Sequence, residues 1–476
     1  MRKHDAVGYG AAARLMLGLC ALWAAAAVAQ VTDPGVRKTS ADGKPPAALP
    51  GLSPEEMMFF QDGLNRFMEI DMVTGGLESA NQGNGLGPRF NSNQCSSCHL
   101  QPFVGGSSPA VNPLYEVVNA NGATNQMPWF IAPNGPIREA RFVQSNGAPD
   151  GGVHDLFVIT GRTDAAGCNI TQPNFLPAGN PVTGLGGNRN VVFRIPTPTF
   201  GDGLIEAIPD SAILANVIKD APTKRQMGVF GHPNANLGGN VNRSANDGTI
   251  TRFGWKAQNK SLLIFAGEAY NVEMGISNEV FPQERDELAS CQTGNTTPND
   301  TDNIPGPSDP PSATAVLSDA GAFAMFMRML APPEPAAPTP STQHGQTLFV
   351  STGCALCHTP AMTTGKAATG VRRGTASAAM SNQQARLYSD LLVHHMGVGL
   401  ADGISQGGAG PDEFRTAPLW GVGQRVFFLH DGRTSDLIQT IRYHASQGSE
   451  ANQIVRNFAV LSAKDQQDLI NFLRSL

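Results

Sequence analysis

Two five-residue stretches carry the residues best suited to chemistry: Cys95-Ser96-Ser97-Cys98-His99 and Cys354-Ala355-Leu356-Cys357-His358. In each, two thiols flank two small or apolar residues and a histidine follows at once. That spacing lets both sulfurs add to the two vinyl groups of one porphyrin while the adjacent imidazole turns beneath the ring to ligate its iron. It is the attachment pattern of c-type haem. Two other chemistries use close cysteine pairs. A zinc site needs another Cys/His pair at suitable spacing, and none follows closely. A thioredoxin-like redox pair sits beside a βαβ pattern, which the flanking sequence lacks. The motifs point to two covalently bound haem c groups, attached through Cys95, Cys98, Cys354 and Cys357, with His99 and His358 as proximal iron ligands.

Such attachment takes place outside the cytoplasm, and residues 1–29 read as an export signal. Arg2, Lys3 and Arg14 precede an apolar run from Leu15 to Val28, and Ala27-Val28-Ala29 closes it with small residues. Cleavage before Gln30 gives a periplasmic protein. The competing reading is a membrane anchor, but the run is shorter than the ~20 residues a span needs. No later stretch has that character, so the mature form is expected to have no membrane span. Cys20 leaves with the signal, which leaves Cys168 and Cys291 either as a disulfide, permitted in an oxidising compartment, or as separate buried thiols. The net charge of −6 excludes a nucleic-acid binder.

With 476 residues, 41% hydrophobic and 15% charged, the chain can form two or three domains with real cores. The 53 glycines and 35 prolines favour long ordered loops around a large flat cofactor. The expected fold is mainly α with long loops and a few short β hairpins, arranged as two cytochrome c-like haem domains. The signal covers 1–29, an N-terminal haem domain with loop insertions 30–335, and a C-terminal cytochrome c-like domain 341–476. Ser53-Pro54-Glu55-Glu56 is a helix start with a capping box. Short β-prone runs recur at 139–144, 156–160 and 191–195. Helices are expected from Asp210 or Ser211, over 261–270 and over 319–330. Residues 292–315 form a low-complexity break, and the prolines of 332–340 mark the domain boundary. In the second domain the first helix is expected to carry the haem motif. Further helical runs are expected over 388–395, 436–443 and 462–473.

Beyond the haem motifs, several segments carry a family resemblance: Ile195–Pro209 (IPTPTFGDGLIEAIP), Arg252-Phe253-Gly254-Trp255-Lys256, Glu273-Met274-Gly275-Ile276, Tyr388-Ser389-Asp390-Leu391-Leu392, Arg415–Trp420 and His430-Asp431-Gly432. From about residue 55 to the end the chain resembles the dihaem c-type oxidoreductases, described as peroxidases or thiol oxidoreductases and related to the bacterial dihaem cytochrome c peroxidases. The resemblance implies a reactive N-terminal haem and an electron-transferring C-terminal haem. Glu273 stands at the family's distal glutamate, where a carboxyl of raised pKa can take a proton from one peroxide oxygen and return it to the other. Glu268 is a lesser alternative. Where the peroxidases carry a distal glutamine this chain has Phe265, which gives a drier pocket with no hydrogen-bond donor. His444 stands where the peroxidases place an axial methionine, which implies a His358/His444 pair at lower potential. Met396, Met380, Met362, His394 and His395 are the alternative ligands.

His154 or His232 can serve as a removable sixth ligand of the first haem, or lie in loops as surface residues. Trp420 and His430 are candidates for a position between the haems, with Trp420 equally readable as core. Arg252, Lys256 and Arg415 are candidate propionate partners. A calcium ion between the domains is also implied, with no dedicated stretch to hold it. The expected function is reduction of hydrogen peroxide or another small oxidant at the N-terminal haem, with electrons passed through the C-terminal haem from a small redox protein, in a monomer or homodimer. The rivals are oxidation of a sulfur, organic or protein substrate by the same centre, and a non-catalytic electron carrier.

Overall fold

The structure is a computed structural model that describes residues 30–39, 42, 44–73, 75–76, 85–175, 190–235, 250–283, 285, 288–291, 314, 317–366 and 377–476. Residues 1–29, where an export signal is expected, and nearly all of the low-complexity break lie outside the described residues.

Helices dominate, and long loops join them, with only short strands between. The helix Pro54–Met68 starts as its sequence dictates: Ser53 Oγ accepts from Glu56 N at 3.2 Å, and Glu56 Oε2 accepts from Ser53 N at 2.7 Å. It packs along Asp319–Met329, burying Phe60, Leu64 and Phe67 against Phe323 and Phe326. The C-terminal half repeats this device with Pro340–Ser351 on Ala463–Ser475. A glycine sets the approach in each pair. A Cβ on Gly63 would stand 2.3 Å from Ala322 O, and one on Gly345 2.0 Å from Asp468 O. Phe67 and Phe349 project from these pairs toward the two motif histidines.

A three-stranded antiparallel sheet has Glu139–Phe142 in the middle, flanked by Val153–His154 and Val191–Arg194. Its register sets Glu139 opposite Arg194. Alternation puts Glu139 and Arg141 on one face. A two-stranded pairing of Val393–His395 with Glu413–Arg415 performs the same service in the C-terminal half.

Two expectations fail in the second half. The 388–395 run is not helical: Tyr388 and Leu391 have φ of 52° and 59°, and Val393–His395 is a strand. The unusual backbone aims the Tyr388 carbonyl at His358, whose Nδ1–H donates to it at 3.0 Å. The second motif is not on the first helix either. It forms a 3₁₀ turn, Cys354–Leu356, set off from Pro340–Ser351 by Gly353 at φ 103°. The 30–39 lead-in lies on the C-terminal half: Asp33 pairs with Arg474 at 2.7 Å, and Arg37 N donates to Gly423 O at 2.7 Å. Cys168 and Cys291 are joined as a disulfide. Among the described residues no helix is long and apolar enough to cross a membrane.

Candidate active site

Each cysteine–histidine motif opens onto its own cavity. The first is lined by Cys95, Cys98 and His99 with Phe67, Arg194, Phe265 and Glu273 among its walls, and holds ≈ 1050 Å³ free of protein atoms, mouth included. The second, of ≈ 1360 Å³ on the same measure, is lined by Cys354, Cys357 and His358 with Met396, Arg415, Arg425, His430 and His444.

Both motif histidines are held the same way. His99 Nδ1–H donates to Gly106 O at 3.1 Å and His358 Nδ1–H to Tyr388 O at 3.0 Å. That tautomer leaves the Nε2 lone pair for a metal. Burial holds each imidazole down to about 4, so the basic form is the one present.

The wall opposite differs. In the second cavity His444 ends the helix Leu437–Tyr443, its Nδ1–H donating to Thr440 O at 2.7 Å, so its Nε2 is also available. Its charge would act directly on His358. Met396 lines the same cavity. Met362 and Met380 are buried outside it, and Met362 Sδ accepts from Asn216 at 3.1 Å. His394 lines the cavity with both nitrogens taken: Nδ1 donates to Glu450 at 2.7 Å and Nε2 to Asp390 at 3.0 Å. Burial alone would depress it, but Cys357 and then Asp390 beside it raise it well above the usual range. His394 is therefore a clamp and cannot be an iron ligand. His395 is exposed and pairs with Asp412 at 3.0 Å.

In the first cavity the sole imidazole among the described lining residues is His99. Opposite stands the helix Leu262–Met274, whose Phe265, Ala269 and Glu273, four apart, share the face that lines the cavity. Ser261 caps its start, and Gly275 at φ 70° ends it. The 87–92 loop covers that end: Gly87 N donates to Met274 O at 2.9 Å and Asn91 N to Glu273 O at 2.6 Å. Asn91 Nδ2 also donates to Glu273 Oε2 at 2.7 Å. Burial, then the adjacent Glu139 carboxylate, pushes Glu273 well above the usual carboxyl range. Glu268 is also raised by burial, but its side chain is engaged by Asn259. Phe265 stacks against Phe253 at 6.2 Å, an apolar wall.

Haem fits this donor set. All four motif thiols are unpaired and face the cavities, whereas the chain's other two described cysteines are joined. Arg415 and Arg425, both buried in the second cavity, have Nε atoms with no partner. Burial lowers Arg415 to about 10, and burial together with Arg415's charge lowers Arg425 to about 10. Two adjoining guanidiniums of this kind call for carboxylates, and haem propionates have the right charge.

Several candidates lie elsewhere. Arg252 is committed to Asp210 and the Ile208 carbonyl. Lys256, fully buried, binds Asp402 at 3.1 Å and the carbonyls of Gly410 and Glu413 at 2.9 and 2.8 Å. Neither lines a cavity, so neither is a propionate partner; fixed cations in this fold also hold loops together. Trp420 packs in the main core beside Gly201 and lines neither cavity. Trp255 lines both, its Nε1 donating to Ile195 O at 2.8 Å. His430 lines the second cavity, stacked on Phe414 at 4.3 Å. His154 pairs with Asp150 at 2.9 Å and stacks on Phe142, and His232 pairs with Glu413 at 2.6 Å; neither lines a cavity, so neither is a resting ligand here. Arg425, Glu139 and Trp255 were missed because no motif marks the first two, and only the segment, not the residue, drew notice to the third. Among the described residues, the cluster His344, Asp465 and Asp468 is the one with three metal-ligand side chains close together. It lies on the terminal helix pair, with Lys464 2.6 Å from Asp468, and is no calcium site between domains.

A family model described as “Di-haem oxidoreductase, putative peroxidase” matches residues 185–476, more than half of the chain. The chain belongs to the di-haem oxidoreductase family. The matched stretch contains the second motif and Glu273, and begins after the first motif. No curated protein matches. Among solved structures, the oxidoreductase is similar to a MauG-like protein associated with microbial copper homeostasis (20% identity over 36% of this chain and 54% of that one, TM-score 0.23). It is similar to the hydrazine synthase of Kuenenia stuttgartiensis (18% identity, 33% and 55%, TM-score 0.23). It is also similar to the diheme peroxidase BthA of Burkholderia thailandensis E264 (17% identity, 47% and 65%, TM-score 0.27). The match thus spans between about half and two-thirds of each solved chain.

Proposed function

We propose that this oxidoreductase is exported to the periplasm and carries one covalently attached haem c in each cavity. On this reading it reduces hydrogen peroxide in the first cavity with electrons supplied through the second. Residues 30–335 and 341–476 are the two haem units, with the 30–39 lead-in strapped to the second. The observation that carries the reading is Glu273: a buried carboxyl of raised pKa on the wall of the cavity that holds His99 and no other described imidazole.

Bound haem would supply the one-electron iron chemistry in both cavities. The chain supplies the rest. Cys95, Cys98, Cys354 and Cys357 fix the rings, and His99 and His358 present Nε2. His444, with Nε2 available on the same cavity wall, would help hold the second haem, which suits that site to relaying electrons. Arg415 and Arg425 hold the propionates there. Trp255, on the wall of both cavities, gives electrons an aromatic step between them. Phe265 and its neighbours exclude water, and Glu273 takes a proton from one peroxide oxygen and gives one to the other. Each peroxide consumes two electrons and two protons and yields two waters.

Glu273→Gln tests this. Peroxide-dependent oxidation of a reduced donor should fall about 100- to 10,000-fold, with two haems per chain retained by pyridine haemochrome assay. Unchanged turnover removes Glu273 from the mechanism. A wild-type spectrum showing only low-spin iron, inert to peroxide and carbon monoxide, leaves a pure electron carrier.

A further inference from the structure

The first cavity holds more acid–base machinery than one carboxyl. Glu139 lies on the middle strand of the three-stranded sheet, across from Arg194 and on the same face as Arg141. Its carboxylate accepts from Arg141 Nε at 2.5 Å. Glu273 lines the same cavity and lies within side-chain hydrogen-bonding reach of that carboxylate. Glu139, Arg141, Arg194 and Glu273 all line the cavity that holds Cys95, Cys98 and His99.

Two buried carboxyl groups in contact cannot both ionise cheaply, so one proton lies between them. Their other neighbours decide where it rests. Glu139 has a guanidinium; Glu273 has the neutral amide of Asn91. The remaining charges facing the pair do not alter that choice. Arg194 is committed to Asp402 at 2.7 Å, and Glu268, from the Glu273 helix, is engaged by Asn259. Burial would raise Glu139, but Arg141 outweighs it and the group is lowered, while Glu273 is raised.

A carboxyl that rests protonated cannot take a second proton. It can do so only by handing its own to a neighbour. We infer that Glu139 is a positioning residue of the acid–base step: it rests ionised against Arg141, receives the Glu273 proton when Glu273 takes one from the substrate, and returns it when Glu273 protonates the departing oxygen. The pair begins and ends with one proton, so no buried intermediate carries an extra charge. This inference rests on the reading that Glu273 faces the reacting oxygen.

Infrared difference spectroscopy of the oxidised, haem-loaded protein tests it. Wild type should show a protonated-carboxyl stretch at neutral pH that moves in D₂O and disappears in Glu273→Gln, which assigns it. In Glu139→Gln the neighbouring charge is gone and Arg141 has lost its partner, so Glu273 ionises. The assigned band should be lost at neutral pH and return only on acidification. Glu139→Asp should keep it. Survival of the band at wild-type intensity in Glu139→Gln, or its equal loss in Glu139→Asp, overturns the inference. Should Glu139→Gln not load haem, Arg141→Gln takes its place. Removing the cation must raise the pH at which the pair gains its second proton, and no rise overturns the inference. If the bands behave as stated while Glu273→Gln retains full peroxide turnover, the shared proton stands and the proposed reaction fails.

Discussion

Around Cys354–His358 the cavity wall carries His444, His430, Arg415 and Arg425; around Cys95–His99 it carries Glu273, Glu139, Arg141 and Arg194. The same Cys-x-x-Cys-His motif thus faces two different surroundings. One wall offers a second imidazole whose Nε2 is available, and two buried guanidiniums whose Nε atoms have no partner. The other offers Glu273, whose proton burial has made hard to remove, beside a Glu139 carboxylate that Arg141 lowers. An iron met by a second strong nitrogen donor becomes six-coordinate and suited to passing electrons. An iron met by a protonated carboxyl keeps room for a small molecule and a proton source beside it. On the proposed reading, the residues opposite each motif histidine, distant from it in sequence, would decide which duty the motif serves.

The sharpest way to break the contrast is to remove His444. His444→Ala should convert the second site from inert to reactive, so that carbon monoxide and cyanide bind two irons per chain where wild type binds one. Met396→Ala should leave wild-type stoichiometry. Met396 lines the same cavity, so the two variants together assign the ligand. Loss of the ferric sulfur-ligation band in Met396→Ala, with no change in His444→Ala, would reverse the assignment.

The next effect is on stability. His394 sits between Asp390 and Glu450, all three buried. Glu450 also accepts from the backbone of Phe230 at 2.7 Å and of His395 at 3.1 Å, so the clamp ties three chain segments beneath the second cavity. His394→Asn strands two carboxylates and should cost about 3–5 kcal/mol in denaturant unfolding of the haem-loaded protein. The Asp390 and Glu450 carboxylates against its two ring nitrogens hold the folded pKa of His394 above its ordinary value. Its contribution is therefore complete below the unfolded value and fades as pH rises through the folded one. The alkaline loss of stability should be smaller in the variant, and an equal loss in both proteins would show that His394 is not the titrating group.

Much of this organisation was legible in the residues. The capping box at Ser53, the β-prone 139–144 run and the terminal helix all stand close to where local chemistry puts them, because those signals are satisfied within a few residues. The Tyr388–His395 segment was illegible for the opposite reason. Its apolar spacing mimics a helix, but its backbone is set by a distant need, a carbonyl for His358. Partners of buried cations were equally hidden. Lys256 and Arg252 look like cofactor ligands in sequence, and only the fold shows that Asp402 and Asp210 already hold them. Glu139 was invisible because its role arises from a strand register and a helix that meet across more than a hundred residues.

The smallest effect concerns the lead-in, which lies on the second cavity's half. Asp33 accepts from Arg474 Nε and Nη2, both at 2.7 Å, and from Leu437 N at 2.7 Å. Leu437 begins the helix that ends at His444, so the strap anchors the start of the element that presents the second imidazole. Burial would raise Asp33, but Arg474 and these backbone bonds outweigh it and the group is lowered. Its stabilisation is present above the unfolded value near ~3.9 and is lost as pH falls through the lower folded one. Asp33→Asn should cost about 1–2 kcal/mol at neutral pH, and the difference from wild type should vanish in acid. A cleaner readout exists in the comparison itself. If the strap supports His444, the variant should loosen the second site alone, visible as a ligand-binding fraction that grows with temperature, while ligand binding at the first cavity stays as in wild type. Loosening of both sites together would make Asp33 a general stabiliser with no preference between them.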